Sequence, residues 1–192
     1  RIFVFGMLWF IAGCHGIFSP IPDEQETRLR NAIRINPVHE IGYIRLAQYL
    51  ESHQRYSETF SVLRTGQQQV PDSIALIRLE GRLYPEDRLV ESLEFYTEQI
   101  NKHPDESLLY LDRAQLYWLM KKHQPSLVDA RKALALNPNL FEAHYLIGVI
   151  LDRKTASNVP GLTEQALDAF IAASLINDQN PSLWLRISTL WD

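Results

Sequence analysis

Pro37, Pro71, Pro104 and Pro138 stand 34, 33 and 34 residues apart. Each closes a stretch with helical hydrophobic spacing and precedes another. A proline just past a helix stops it, because its ring disfavours helical geometry in the residue before it. Punctuation at this period confines the chain to a stack of short helical units. Three of these units share an ending: Ala32-Ile33-Arg34-Ile35-Asn36-Pro37, Ala133-Leu134-Ala135-Leu136-Asn137-Pro138 and Ala173-Ser174-Leu175-Ile176-Asn177-Asp178.

Within each unit a large residue, a small residue and a further large one recur at fixed steps. Tyr43, Leu46, Ala47 and Leu50 fill these places in one unit, Tyr110, Arg113, Ala114 and Tyr117 in another, and His144, Ile147, Gly148 and Leu151 in a third. The second helices carry Ala166, Phe170 and Ala173 at matching spacing. The small residues Ala47, Gly81, Ala114 and Gly148 let two helices approach closely. This pattern resembles the tetratricopeptide repeat over residues 23 to 192. The resemblance implies an all-α fold, a right-handed α-solenoid of stacked antiparallel hairpins, with about four full repeats and a half repeat at each end. The helices are predicted over 23–36, 39–52, 55–69, 72–83, 86–102, 105–121, 125–136, 139–152, 162–177 and 181–191.

Two repeats depart from the pattern. In the second, Glu80 takes a leucine position and the link around Pro85 is a residue short. In the fourth, about six extra residues are expected in a polar loop from Asp152 to Gly161. The last helix, with Leu183, Trp184, Ile187 and Trp191, is expected to leave apolar surface outward.

Residues Ile2 to Ala12 form an apolar run after Arg1, too short to span a bilayer, and lead into Ile11-Ala12-Gly13-Cys14. This resembles the lipobox of bacterial lipoproteins. The resemblance implies a signal peptide over 1–13, lipidation of Cys14 and a tether over 14–22. It also implies a place in the bacterial envelope, facing the periplasm; His15 after the cysteine, rather than aspartate, leans towards the outer membrane.

Composition narrows the function. The net charge is −4 and basic residues are not clustered, so nucleic acid is not an expected partner. The six histidines show no metal-pair spacing, the single cysteine cannot build a zinc site alone, and no nucleotide-binding or nucleophile-elbow motif is present. No catalytic residue, cofactor or metal is expected. His39, His53, His103 and His123 fall at predicted turns or helix ends, and His144 at a core position.

A solenoid of this kind presents an extended concave face. In the tetratricopeptide family that face is lined by first helices and binds peptides or a partner's helix. Carrying its groove positions over gives Ile44, Gln48, Arg78, Arg82, Leu111, Gln115, Trp118, Tyr145 and Val149. Arg78 and Arg82 are expected to take a partner carboxylate, and replacing Trp118 and Arg78 by alanine to weaken capture without unfolding the chain. The lysine and asparagine clamp of chaperone-binding members is absent. The leading expectation is a membrane-tethered adaptor that binds a protein partner and catalyses nothing. The alternatives are the N-terminal repeat region of a longer protein with an enzymatic domain, or a structural solenoid that self-associates through its terminal helices.

Overall fold

A computed structural model describes residues 23–155 and 161–191. Cys14, the signal segment and the tether lie outside the described residues, as does the middle of the expected loop, residues 156–160. Among the described residues ten α-helices follow one another: α1 (Glu24–Ile35), α2 (Glu40–Ser52), α3 (Tyr56–Gln69), α4 (Ile74–Arg82), α5 (Leu89–Lys102), α6 (Ser107–Leu119), α7 (His123–Leu136), α8 (Phe141–Thr155), α9 (Leu162–Ile176) and α10 (Pro181–Trp191). The pairs α2–α3, α4–α5, α6–α7 and α8–α9 are antiparallel hairpins, flanked by α1 and α10, and each helix packs on its neighbours along the stack. The architecture is the expected α-solenoid of helical hairpins.

The core is a row of linked clusters, each built around a small residue on a first helix. Gly81 lies so close to Tyr96 that a Cβ there would sit 2.3 Å from the ring, and a Cβ on Gly148 would sit 2.6 Å from the ring of Phe170. Where the first-helix residue is alanine, the opposing residue is smaller: Ala47 shares a cluster with Leu63, and Ala114 with Ala130. Large side chains therefore face missing ones, and the helix pairs close tightly.

A second regularity joins each repeat to the one before. The Tyr43 hydroxyl donates to the carbonyl of Pro37 at 2.9 Å, Tyr110 to Pro104 at 3.1 Å, and the Trp184 indole N–H to Asp178 at 2.6 Å. His144 Nε2 lies 2.9 Å from the Pro138 carbonyl. A carbonyl only accepts, so His144 carries its proton on Nε2. The half-buried His144 is thus a latch of the same kind. In the second repeat Ile77 fills this place, fully buried and without a polar tip.

The hairpin turns show why the second repeat differs. After α2 and α6, Gln54 and Lys121 take left-handed backbone (φ 58° and 59°). The Arg55 N–H then reaches back to the Leu50 carbonyl, and the Lys122 N–H to that of Tyr117, the bonding of a Schellman-type helix stop. α4 has no such turn. Pro85 disfavours helical geometry at Tyr84 and offers no N–H to the carbonyl of Gly81, so α4 ends at Arg82, after 9 residues against 13 in α2 and α6. The predicted helix over 86–102 is therefore a 3-10 turn, Glu86–Arg88, followed by α5. The Gly81 carbonyl takes its bond from the Ser92 hydroxyl at 2.9 Å, as the Ala114 carbonyl does from Ser126 at 2.7 Å. Both serines are buried. Ser92→Ala would leave a buried carbonyl short of the donor that Pro85 cannot supply, and a loss of about 1–3 kcal/mol in urea unfolding is expected.

Two further boundaries differ from the sequence expectation. α7 begins at His123 rather than at 125, because Pro125 sits in its first turn, where no intrahelical N–H bond is lost. α8 continues to Thr155, so part of the expected loop is helix.

α1 is clamped to the stack by charge. Glu26, 1% exposed, accepts from Arg55 at 2.6 Å and from Arg30 at 2.8 Å, and Arg55 also holds Glu58 at 2.6 Å. Hydrogen bonds from Arg55 hold the carboxyls of both Glu26 and Glu58 below their ordinary value of 4.5. A carboxylate lowered in the folded state stabilises it above its unfolded pKa, and that contribution is lost as pH falls through the folded value. Stability should therefore be flat around neutrality and decline below about pH 4.5, with amide protection lost first in α1. Arg55→Gln should flatten this acid slope in thermal melts, and an unchanged slope would remove the clamp as its cause.

At the other end α10 buries Leu183 but leaves Trp184, Leu185 and Trp191 exposed. The apolar outward surface expected there is present. Among the described residues no helix is long and apolar enough to cross a membrane.

Candidate peptide-binding groove

The residues carried over as groove positions all lie on first helices: Ile44 and Gln48 on α2, Arg78 and Arg82 on α4, Leu111, Gln115 and Trp118 on α6, and Tyr145 and Val149 on α8. The structure divides them into two groups. Ile44, Gln48, Arg78 and Arg82, with Ala75 and Leu79, line one open recess of about 470 Å³ between α2 and α4. Gln115 and Arg82 line a second, between α4, α5 and α6, whose wall is Tyr84, Tyr96 and Leu116. Arg82 is common to both.

The remaining four are turned towards packing. Leu111 is 2% exposed, held among Ala133, Leu140 and Ala143. It has no surface to offer a ligand, because the two alanines let α7 and α8 close over it. Trp118 is half-buried against the cluster of Ala114, Leu127 and Ile150, with its ring 4.9 Å from that of His123. Tyr145 and Val149 pack on the Phe170 and Leu183 cluster, Tyr145 edge-on to Phe170 at 5.7 Å. These three retain partial exposure.

The arginine pair is not the matched pair that the sequence suggests. Arg78 grips Asp112 with both arms of its guanidinium, Nε at 2.6 Å and an Nη at 3.0 Å. Asp112 is buried, so Arg78 neutralises an internal charge. Hydrogen bonding to Asp112 raises the Arg78 pKa further. Arg82 reaches the same carboxylate only at 3.4 Å and its side chain is 57% exposed. Arg113 holds Asp129 at 2.7 and 2.9 Å within the α6–α7 hairpin, and Arg186 on α10 holds Asp152 on α8 at 2.6 Å, tying successive first helices as Arg78 and Asp112 do. Sequence reasoning missed Asp112, although its signal was present: it follows Arg78 by 34 residues, one repeat, and Arg186 follows Asp152 by the same interval.

His39 and His53 cap the two ends of α2, His103 caps α5 and His123 opens α7. Among the described residues no group of three or more histidines, cysteines and carboxylates could hold a metal ion.

Solved structures share this arrangement. A thermophilic TPR protein of Thermus thermophilus superposes with a TM-score of 0.65, covering 86% of this chain and 88% of that one at 17% identity. The fold is tetratricopeptide-like. A TPR protein from Parabacteroides merdae gives a TM-score of 0.63 at 17% identity over 87% of this chain and 63% of its own. YrrB, described as a TPR protein with an unusual peptide-binding site, gives 0.57 at 16% identity over 85% and 81%. In sequence, anaphase-promoting complex subunit 3 of Schizosaccharomyces pombe is 24% identical over 139 residues, or 71% of this chain. The tetratricopeptide-like chain spans only 21% of that protein's length. No family model matches the chain.

Proposed function

We propose that this tetratricopeptide-like solenoid is a non-catalytic scaffold that captures a segment of another protein along the recesses of α2, α4 and α6. The observation that carries this reading is the continuity of those recesses through Arg82, an exposed cation beside Gln48 and Gln115 on a rigid helical wall. Arginine is among the residue types that dominate interface energies, and helix-borne side chains are presented with little loss of freedom on binding. Within the proposal, Cys14 is lipidated and holds the solenoid at a bacterial membrane, facing the periplasm. The anchor would raise the local concentration of a partner assembled there.

A photo-crosslinking amino acid placed at Gln48 or Gln115, with Glu94 and Glu98 on the outer side of α5 as controls, tests the groove. Specific adducts with one protein from the groove positions alone are expected. Equal yields from the α5 positions would reject it. Incorporation of a labelled fatty acid in a bacterial host, lost in Cys14→Ser, tests the anchor separately, and absence of label in the unaltered chain would reject that part.

A further inference from the structure

The degenerate second repeat builds a feature that a regular one would lack. Because α4 stops at Arg82, Leu83, Tyr84 and Pro85 leave the helix and settle across the first turns of α3. The Tyr84 ring meets Phe60 edge-on at 5.5 Å and Phe95 at 6.0 Å. An open recess of about 820 Å³ results, with Tyr56, Phe60, Leu83 and Tyr84 as its apolar lining and Arg82 and Arg88 beside them. Glu51 is the one acidic side chain among the lining residues. Tyr56 is 52% exposed.

Neither cation at this recess is held in a tight buried pair, as Arg55, Arg78 and Arg113 are. Arg78 already meets both oxygens of Asp112, so the long contact from Arg82 adds little to that buried charge. Arg88 lies over the Tyr84 ring at 5.9 Å, and its partner Glu91 is about half exposed at 3.2 Å, a surface pair of small worth. Arg82 and Arg88 edge the recess with Glu51, while Glu91, the partner of Arg88, lies outside its lining, so two guanidiniums are presented over an aromatic floor. Arg82 also lines the recess between α2 and α4, so an occupant of the groove passes this opening.

We propose that this recess is the specificity pocket of the groove, and that it takes an aromatic or large aliphatic side chain of the bound peptide together with a neighbouring carboxylate held by Arg82 and Arg88. This rests on the groove reading above. The chemistry follows from the walls. Three rings favour an apolar side chain with edge-to-face contacts, and a guanidinium freed from internal duty favours a carboxylate by charge-assisted hydrogen bonds. A basic or purely polar segment would leave the floor uncovered and set like charges together.

The test is selection of random dodecapeptides on the purified full chain, displayed both internally and with a free C-terminus. Peptides carrying Asp or Glu within about two residues of Phe, Tyr, Trp or Leu are expected. Enrichment in the internal format assigns the carboxylate to a side chain, and enrichment confined to the free-terminus format assigns it to a chain end. Arg82→Gln should lower the affinity of a selected peptide about tenfold, the worth of one hydrogen bond to a charged group. Tyr56→Ala should erase the aromatic preference while the acidic one remains. Both side chains are largely exposed, so thermal melts should match the unaltered chain and separate lost binding from lost fold. Peptides without acidic enrichment, or affinity unchanged by Arg82→Gln, would overturn the pocket. If such peptides still shift amide signals of Gln48 and Gln115, the groove reading survives that failure. Recovery of no binding peptide overturns both.

Discussion

Phe170→Ala is expected to cost about 3–5 kcal/mol and to melt α8 to α10 ahead of the rest of the stack. Phe170 is fully buried and its ring occupies the space that the missing side chain of Gly148 leaves open. Truncation removes the contacts of Gly148, Tyr145 and Leu183 together, and small neighbours collapse poorly into the void. The converse change, Gly148→Leu, drives a side chain into the ring and should destabilise by overpacking. Combined, the two should do less harm than their sum, because the pair then approaches the Ala47 and Leu63 arrangement with its sizes reversed. Hydrogen exchange resolved by helix is the suitable readout, since a solenoid need not unfold in one step. Protection lost uniformly over all ten helices would contradict so local a set of contacts, and strictly additive effects would contradict the direct opposition of these two positions.

Arg78→Ala should lower stability by about 3 kcal/mol, because it strands the buried Asp112 with only the distant Arg82 for company. The expectation from sequence, for Trp118 and Arg78 replaced together, is weakened capture with the fold spared; the inward-turned guanidinium of Arg78 argues for a loss of stability instead. Asp112→Asn in the Arg78→Ala background should recover much of the loss by removing the stranded charge. Urea unfolding followed by circular dichroism measures both. An Arg78→Ala variant as stable as the parent would mean that water or Arg82 satisfies Asp112 unaided, and that Arg78 is free for a ligand after all.

Much of the fold was legible because it rests on short-range rules that repeat. The prolines gave the helix ends, and the large and small steps gave the helix pairs; eight of ten helices lie close to their predicted spans. The end of α4 was legible to within a residue, at 83 against Arg82. The course of the chain beyond it was not, because where Tyr84 settles depends on Phe60 and Phe95, 24 and 11 residues away in the chain. Of the carried-over positions, Ile44, Gln48 and Arg82 do line an open recess, whereas Leu111 is buried. A position-by-position transfer assumes that each first helix shows the same face, whereas Ala133 and Ala143 draw neighbouring helices over that one. Tyr56 and Tyr84 escaped notice because neither falls at a conventional groove position.

The shortened α4 bears on how the molecule would carry a load. Elements touch only near neighbours along the axis, so tension between the ends passes through the hairpins in series, and the most compliant link sets the stretch. The α4–α5 hairpin meets over the shortest length, lacks the left-handed turn and has Ile77 where the others hold a carbonyl latch. Pulled from its two ends, the spring should open first between Arg82 and Leu89, changing its pitch there while the coils on either side keep theirs.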